Sequence, residues 1–183
     1  MRVIVGCEFS QIVTKAFRDK GHEAYSCDLL PTEGNPEWHF QEDILEVLKR
    51  ERFDLGIFHP PCTHLAVSGA RWFKDKIDKQ QEALAFIRSL LFTNIPKICL
   101  ENPIGIISTR IRKPDQIIQP WMFGHGEQKA TCLWLKNLPK LLPTRIVEGR
   151  EQRIWRLPPS SDRWKKRSIT FHGIAEAMAI QWG

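Results

Sequence analysis

Apolar and polar positions alternate along the first half of the chain in a strand, helix, strand, helix order. Short apolar runs at residues 2–5, 23–27, 53–58 and 96–100 are typical of buried strands. Between the last two runs, apolar side chains recur at helical spacing over residues 74–93, which predicts the longest helix. Strands that alternate with helices favour a parallel sheet with crossover helices, and we therefore predict an α/β fold.

Capping residues predict where the shorter elements begin and end. Ser10 is expected to cap a helix that runs to Lys20, and Gly21 is expected to end it. Apolar positions at 44–48 predict a short amphipathic helix. Near the end of the chain, we expect a strand at 131–135 and a closing helix at 169–182.

Length and composition are those of one domain with a hydrophobic core. The chain has 183 residues, of which 42% are hydrophobic. It has neither a signal region nor an apolar run of ~18 residues that could span a bilayer, and so we expect a soluble, cytoplasmic protein without a membrane partner. Its five cysteines are odd in number and never form a C-x-x-C pair, which argues against disulfides and a zinc knuckle.

Positive charge is concentrated late in the chain and predicts a polyanionic partner. The net charge is +6, and residues 145–167 interleave basic side chains with Trp155 and Trp164. That mixture suits phosphate contact and base stacking, although a solvated basic loop is the alternative. The nucleic-acid contacts expected in this segment are Arg153, Arg156, Arg163, Lys165, Lys166 and Arg167.

The hexapeptide His59-Pro60-Pro61-Cys62-Thr63-His64 carries the clearest chemical signal. Two prolines directly after a buried strand fix the backbone and hold the Cys62 thiol at the edge of the sheet, pre-positioned for attack. His59, His64 and Arg71 are candidate neighbours that promote thiolate character. A structural cysteine is the alternative, and zinc ligation by His59, Cys62 and His64 is disfavoured because the turn is too tight.

A carboxylate follows the next predicted strand. Glu101 comes directly after residues 96–100, and if the two strands are neighbours, Cys62 and Glu101 face one pocket. The thiolate could then add to C6 of a pyrimidine while the carboxyl group holds N3 and the exocyclic amine. C5 would become nucleophilic and could take a methyl group from a sulfonium. The alternative is a structural glutamate.

Polar groups after the first strands suggest a nucleotide-like cofactor. The turn Val5-Gly6-Cys7-Glu8-Phe9-Ser10 lies where backbone amides commonly approach such a ligand, but it lacks a dinucleotide glycine fingerprint. Asp28 could accept hydrogen bonds from both hydroxyls of a ribose, and Asp43 could meet an adenine amino group. Each group is singly consistent with an ordinary turn or a helix cap.

Several segments together resemble the cytosine-C5 DNA methyltransferases, most closely their short bacteriophage and prophage members. The resemblance spans nearly the whole chain. It rests on Cys7-Glu8-Phe9-Ser10, Gly21-His22, Ser26-Cys27-Asp28-Leu29-Leu30-Pro31, His59-Pro60-Pro61-Cys62, Glu101-Asn102-Pro103, Thr131-Cys132-Leu133-Trp134-Leu135 and Arg167-Ser168-Ile169-Thr170 with Gly173-Ile174-Ala175.

This resemblance implies a Rossmann-like sheet with helices on both faces, S-adenosyl-L-methionine as cofactor, and DNA, duplex or single-stranded, as substrate. Cys62 would be the covalent nucleophile and Glu101 the carboxylate that binds the base. No metal is implied. The implied cofactor contacts are Gly6, Glu8, Phe9, Asp28, Asp43 and Pro60.

The chain departs from the family pattern in three places. Its first turn has fewer glycines, and it has Gln128-Lys129-Ala130-Thr131 where the family has a Gln-x-Arg segment. Lys129 and Arg71 join the expected nucleic-acid contacts. We expect one methyltransferase domain over 1–183, in which a reduced basic loop region at 136–168 replaces a full target-recognition domain.

Three other functions stay open. The substrate could be cytosine in RNA or in a free nucleotide. An amino-methyltransferase acting on adenine or cytosine has an Asp/Asn-Pro-Pro-aromatic turn, whose roles His59 and Cys62 fit poorly. The chain could also be a non-catalytic nucleic-acid-binding protein that retains a degenerate cofactor pocket.

Overall fold

The fold is built on a seven-stranded sheet, seen in a computed structural model that describes residues 1–69 and 76–183. The strand order is β3-β2-β1-β4-β5-β7-β6, and helices pack on both faces. The predicted Rossmann-like α/β class is therefore confirmed. The strands are β1 (Arg2–Gly6), β2 (Glu23–Cys27), β3 (His39–Phe40), β4 (Leu55–Phe58), β5 (Lys97–Pro103), β6 (Gln116–Ile118) and β7 (Thr131–Lys136).

Each face of the sheet has its own helical layer, because successive side chains of a strand point to opposite faces. Val3 and Val5 of β1 pack in the layer that contains α1 and α6. Ile4 packs on the other side, against α2 and α3. The helices are α1 (Ile12–Asp19), α2 (Ile44–Arg50), α3 (Ile77–Leu91), α4 (Ile107–Arg110), α5 (Arg163–Ser168) and α6 (His172–Trp182).

The sheet is mixed, because β7 runs antiparallel to both β5 and β6, whereas β1 to β5 are parallel. The strand predicted at residues 96–100 corresponds to β5, and its predicted end at Leu100 is wrong. Pairing with β7 continues through Glu101 and Asn102 to Pro103, which lies opposite Thr131. The antiparallel neighbour supplies backbone partners beyond the point where β4 stops, and β5 therefore carries Glu101 in a regular strand.

Helix boundaries follow the capping signals only in part. Gly21 adopts a φ of +83° just after α1, as expected for the residue that ends a helix. Ser10 does not cap α1, because the Glu8 carboxylate accepts from the first amides instead. The closing helix predicted at 169–182 begins three residues later, at His172, because the backbone is extended at Ile169 and at Phe171.

Long, strongly apolar elements were predicted better than short edge strands. β3 and β6 have two and three residues and are only partly buried, so that neither shows a recognisable period. The predicted start of α3 at residue 74 lies outside the described residues. None of the helices in the described ranges is both long and apolar enough to cross a membrane.

Candidate active site

Most of the predicted site residues lie at the carboxyl ends of the parallel strands, on one side of the sheet. β1 and β4 are neighbours at the centre of the strand order, and the chain leaves them toward opposite sides. Such a switch point is the usual ligand crevice of an open α/β sheet. Phe9 follows β1, Asp28 follows β2, Cys62 follows β4, and Glu101 lies near the end of β5.

Hydrogen bonds from its neighbours hold the Pro-Pro-Cys turn in place. Asn102, which is buried, donates from Nδ2 to the carbonyl oxygen of Pro60 at 2.8 Å. The carbonyl oxygen of Cys62 accepts from the amides of Leu65 and Ala66, each at 3.0 Å. Because Asn102 follows Glu101 directly, the strand that carries the carboxylate also positions the turn that carries the thiol.

A second junction joins the segments that follow Cys62 and Glu101. The amide of Val67 donates to Ile104 O at 3.0 Å, and the amide of Ile106 donates to Leu65 O at 2.9 Å. A Cβ on Gly105 would lie 2.2 Å from Leu65 O, so that only glycine allows this approach. Cys62 and Glu101 are therefore parts of one connected structure.

Glu101 is held as a carboxylate by its neighbours. Its Oε2 accepts from Nδ1 of His59 at 3.2 Å, and both side chains are mostly buried. Burial alone would raise the pKa of Glu101, but His59, then the Lys129 ammonium and the Thr131 side chain, lower it below its ordinary value. The site thus holds a desolvated negative charge that is stabilised mainly by His59.

Cys62 has a thiol that is exposed but not strongly activated. Partial desolvation raises the pKa of the Cys62 thiol, the charge of Glu101 raises it further, and Lys129 and Arg167 oppose both effects. Cys62 and Glu101 are therefore close enough for one charge to act on the other. The thiol is mostly protonated at neutral pH and must lose its proton when a substrate is attacked.

Lys129 lies at the site rather than on a remote basic surface. Its ammonium donates to the carbonyl oxygen of Arg167 at 2.8 Å, and its amide donates to Oε1 of Gln119 at 2.9 Å. The predicted contacts Lys129 and Arg167 thus both face the thiol. Sequence reasoning missed this closeness, because it depends on the antiparallel pairing of β7 with β5.

Sequence reasoning missed the structural roles that Asn102 and His59 have in the site. Asn102 directly follows Glu101 in the Glu101-Asn102-Pro103 motif. Its position next to the predicted base-binding carboxylate is the feature of the sequence that could have indicated a role for its side chain. His59 was considered only as a cation near the thiol or as a zinc ligand. Among described side chains, His59 Nε2 and Asn102 Oδ1 are buried polar atoms without a hydrogen-bond partner.

Of the predicted cofactor contacts, Asp28 and Phe9 are the two that the fold leaves best placed to meet a ligand. Asp28 is partly exposed, and in the described part of the chain only its Oδ1 is engaged, by the amide of Leu30 at 2.9 Å. Its second oxygen fits the predicted task of binding ribose hydroxyls. The Phe9 ring follows β1 at the carboxyl ends of the strands. It is buried, and Trp164 and Lys165 contact it.

The other predicted cofactor contacts have structural roles of their own. Both oxygens of Glu8 accept from residues at the start of α1, with the amide of Val13 at 2.7 Å and the hydroxyl of Thr14 at 2.7 Å. Asp43 caps α2 by accepting from the amide of Leu45 at 2.8 Å. A Cβ on Gly6 would lie 2.7 Å from the Phe58 ring. Pro60 is buried, and cofactor contact by Gly6, Glu8, Asp43 and Pro60 stays a prediction.

Most of the predicted nucleic-acid contacts in the basic segment 145–167 form ion pairs or hydrogen bonds within the protein, which the sequence did not indicate. Residues 137–162, all of which the structure describes, contain no regular helix or strand. Arg71 lies outside the described residues. The other predicted contacts bind as follows: Arg153 pairs with Glu127 and Glu151, Arg163 donates to Trp155 O, Lys165 pairs with Glu33, Lys166 pairs with Asp162, and Arg156 is exposed.

No group of three or more His, Cys, Asp or Glu side chains within residues 1–69 and 76–183 is arranged to hold a metal ion. His59, which was weighed as a zinc ligand, instead hydrogen-bonds Glu101.

Comparison with known proteins establishes the fold. The chain is similar to a solved structure described as a candidate DNA modification methyltransferase encoded within an E. coli prophage, with a TM-score of 0.50 and 15% sequence identity. The match covers 80% of this chain and 52% of that one, so that the chain spans about half the length of the solved protein. No protein-family model and no curated protein matches the chain. The sheet and its flanking helices are therefore those of a methyltransferase fold.

Proposed function

We propose that the protein is an S-adenosylmethionine-dependent DNA methyltransferase that methylates cytosine at C5 through a covalent bond between Cys62 and the base. The observation that carries this proposal is the pairing of Cys62 with Glu101. A thiol and a carboxylate come from neighbouring parallel strands, and the charge of one acts on the other. The methyltransferase fold supports the class of reaction.

In the proposed reaction, Cys62 forms the covalent bond. Its thiolate adds to C6 of cytosine, and the electron pair of the C5–C6 double bond makes C5 nucleophilic. After methyl transfer, loss of the C5 proton restores the double bond and expels the thiolate. Because the pKa of the resting thiol is raised, Lys129 and Arg167 help by opposing the burial and the charge of Glu101.

Glu101 binds and activates the base. One carboxylate oxygen would accept from the exocyclic amine of cytosine, and the other would take up the proton that the Cys62 thiol releases and share it with N3. That proton balances the negative charge brought to the ring by the thiolate. His59 orients the carboxylate through its 3.2 Å bond to Oε2.

Phe9 and Asp28 are the residues best suited to the cofactor. Asp28 would accept from the ribose hydroxyls, and the Phe9 ring would contact the rest of the ligand. Gly6, Asp43 and Pro60 border the same edge, whereas Glu8 would have to exchange bonds that it makes to α1. When bound, S-adenosylmethionine would supply the electrophilic methyl group.

The reduced region at 136–168 suits limited sequence readout. Extracting a cytosine from duplex DNA costs ~a few kcal/mol, which groove and phosphate contacts normally offset. With 26 residues that lack regular structure at 137–162, the chain offers basic and aromatic side chains in place of a folded recognition domain. We therefore propose one catalytic domain with relaxed target choice.

Trapping with DNA that contains 5-fluorocytosine tests the mechanism. Fluorine at C5 cannot leave as a proton, and so we expect a stable protein–DNA adduct that requires S-adenosylmethionine and maps to Cys62. DNA with ordinary cytosine should release, and Cys62→Ser should form no adduct. An adduct at another residue, or none at saturating cofactor, would contradict the proposal.

The other functions predict different results in the same assays. Methyl label from S-adenosylmethionine that enters only RNA or only nucleotides would assign another cytosine substrate. Near wild-type transfer by Cys62→Ser would indicate amino-methylation, which needs no covalent adduct. Salt-sensitive DNA binding without cofactor binding in calorimetry would indicate a non-catalytic protein.

A further inference from the structure

An open cleft of about 400 Å³ lies between Gln128, which precedes β7, and the segment 150–156, and neither Cys62 nor Glu101 lines it. We call it the arginine cleft, because three of its six lining residues are arginines. The residues are Gln128, Arg150, Glu151, Gln152, Arg153 and Arg156.

A buried carboxylate anchors the turn that forms the cleft. Glu127 is almost fully buried, and it accepts from Nε of Arg153 at 3.2 Å and from the amide of Ile154 at 3.0 Å. The amide of Gln128 donates to Glu151 O at 2.7 Å. These bonds fix the turn on the segment that precedes β7. The cleft is thus a built feature of the fold.

The side chains of the cleft suit an anion with several oxygens. Arg150 lies over the Trp121 ring at 4.0 Å, which orients its guanidinium. Arg153 meets its two carboxylates through Nε, so that these contacts leave the Nη groups to a ligand. Arg156 is exposed. Guanidinium groups bind phosphate through paired N–H donors, and Glu151 is the one acidic side chain that lines the cleft.

The position of the cleft indicates which phosphate it would bind. Gln128 lines the cleft, and the next residue is Lys129, whose ammonium acts on both Cys62 and Glu101. Lys129 lies two residues before Thr131, which pairs with Pro103, two residues after Glu101. Trp155, in the same turn as Arg156, is 63% exposed and offers an indole for stacking. Arginines beside an exposed aromatic are typical of sites for unpaired nucleotides.

We propose that the arginine cleft binds the phosphodiester backbone of an unpaired DNA strand next to the target base, and that Trp155 stacks on a flanking base. The inference rests on the proposed function for the identity of the neighbouring centre. It adds that the strand around the target cytosine is held single-stranded.

Binding of a labelled single-stranded oligonucleotide to the full chain, followed by fluorescence anisotropy over a range of salt, tests the cleft. Arg150→Gln and Arg156→Gln should each weaken binding and reduce the slope of log Kd against log salt by about 0.7, the value for one single-strand phosphate. Trp155→Ala should weaken it on the order of 5- to 150-fold and change duplex binding less. Arg153 is left intact, because it also anchors Glu127.

Arg52→Gln is the matched control, since Arg52 is exposed just before β4, at the opposite edge of the sheet. It removes the same charge and should leave the salt slope unchanged. Cleft variants that bind the single strand as the wild type does, or that lose no more slope than Arg52→Gln, would overturn the inference.

Failure of the proposed function would look different. If the wild type forms no Cys62 adduct, while Arg150→Gln and Arg156→Gln still lose single-strand binding, the cleft stands and the methylation mechanism falls. If the adduct forms and the cleft variants bind normally, only the cleft inference is wrong.

Discussion

His59 donates from Nδ1 to Oε2 of Glu101 across 3.2 Å, and so the residue that opens the Pro-Pro-Cys turn holds the carboxylate of the neighbouring strand. His59 is the first cause that lowers the pKa of Glu101 against its burial. The buried Nε2 of His59 has no hydrogen-bond partner among the described residues.

Replacing His59 should therefore change both the titration of Glu101 and the stability of the protein. His59→Phe keeps the burial but removes the donor, and we therefore expect the pKa of Glu101 to rise. Titration of the carboxyl carbon by ¹³C NMR, assigned with Glu101→Gln, measures this pKa. His59→Gln, which keeps a donor, should retain most of the lowering.

The stability change has a defined sign. A carboxylate whose pKa is lowered on folding stabilises the protein above its ordinary pKa of 4.5, and this contribution is lost as the pH falls through the folded-state pKa. His59→Phe should therefore lower the unfolding free energy at pH 7 through Glu101, and lower it less in acid. An unchanged pKa of Glu101 in His59→Phe would show that the hydrogen bond does not set the charge.

The Cys62 thiol should respond in opposite directions to its two charged neighbours. Glu101→Gln removes a negative charge and should lower the pKa of the thiol, whereas Lys129→Gln should raise it. We expect alkylation of Cys62 by iodoacetamide near pH 8 to become faster in the first variant and slower in the second, because the rate follows the fraction of thiolate.

Mass spectrometry of the peptide that contains Cys62 measures this rate without interference from the other cysteines. Arg52→Gln should alkylate at the wild-type rate. Since Glu101→Gln should also abolish methyl transfer, faster alkylation with lost activity would separate its electrostatic role from its catalytic role. Equal shifts in both variants would mean that a change of folding, and not charge, controls the thiol.

The sequence predicted the centre of the sheet and the partners Cys62 and Glu101 for a physical reason. Buried parallel strands are short apolar runs, and groups that follow such runs emerge at one edge. To predict that Glu101 lies near Cys62, β4 and β5 must also be neighbours in the sheet. That is the simplest arrangement for two consecutive strands joined by a crossover through α3.

Two features of the site were not predicted from the sequence. The Glu8 carboxylate, rather than Ser10, accepts from the first amides of α1, because its longer side chain reaches forward to them. The closeness of Lys129 to the thiol follows from the antiparallel course of β7, which no local pattern encodes. Only the second feature depends on long-range pairing.

Gly105 offers a test of the junction between the segments that carry Cys62 and Glu101. A Cβ there would lie 2.2 Å from Leu65 O, so that Gly105→Ala must separate the turn of Cys62 from the strand of Glu101. We expect a loss of roughly 1–3 kcal/mol in unfolding free energy, measured by urea denaturation. Adduct formation at a temperature where the variant is folded should be slowed further, because the two groups no longer converge.

Gly69→Ala is the matched control, since its Cβ would find its nearest neighbour, Thr63 O, at an ordinary 3.7 Å. It should change stability and adduct formation little. Wild-type adduct rates in a folded Gly105→Ala would mean that the junction does not position the reacting groups.

Helix α5 connects the candidate cofactor edge to the thiol. Lys165 pairs with Glu33 at 2.6 Å and lies 4.9 Å from the centre of the Phe9 ring. Trp164 meets the same ring edge-on at 6.4 Å. Arg167, in the same helix, accepts from Lys129 beside Cys62. Although the basic residues here were predicted to bind nucleic acid, Lys165 and Trp164 cover a residue expected to contact the cofactor.

Trp164→Ala should therefore weaken the binding of S-adenosylmethionine before it weakens the binding of DNA. Edge-to-face aromatic contacts are worth about 0.5–1.5 kcal/mol, and so we expect a two- to tenfold rise in the Kd of the cofactor in calorimetry. Lys165→Met should act in the same direction. Lys166→Met is the matched control, because the neighbouring Lys166 pairs with Asp162 at the start of α5. If Trp164→Ala and Lys165→Met leave cofactor affinity unchanged but weaken DNA binding, α5 belongs to the nucleic-acid surface that its charge first suggested.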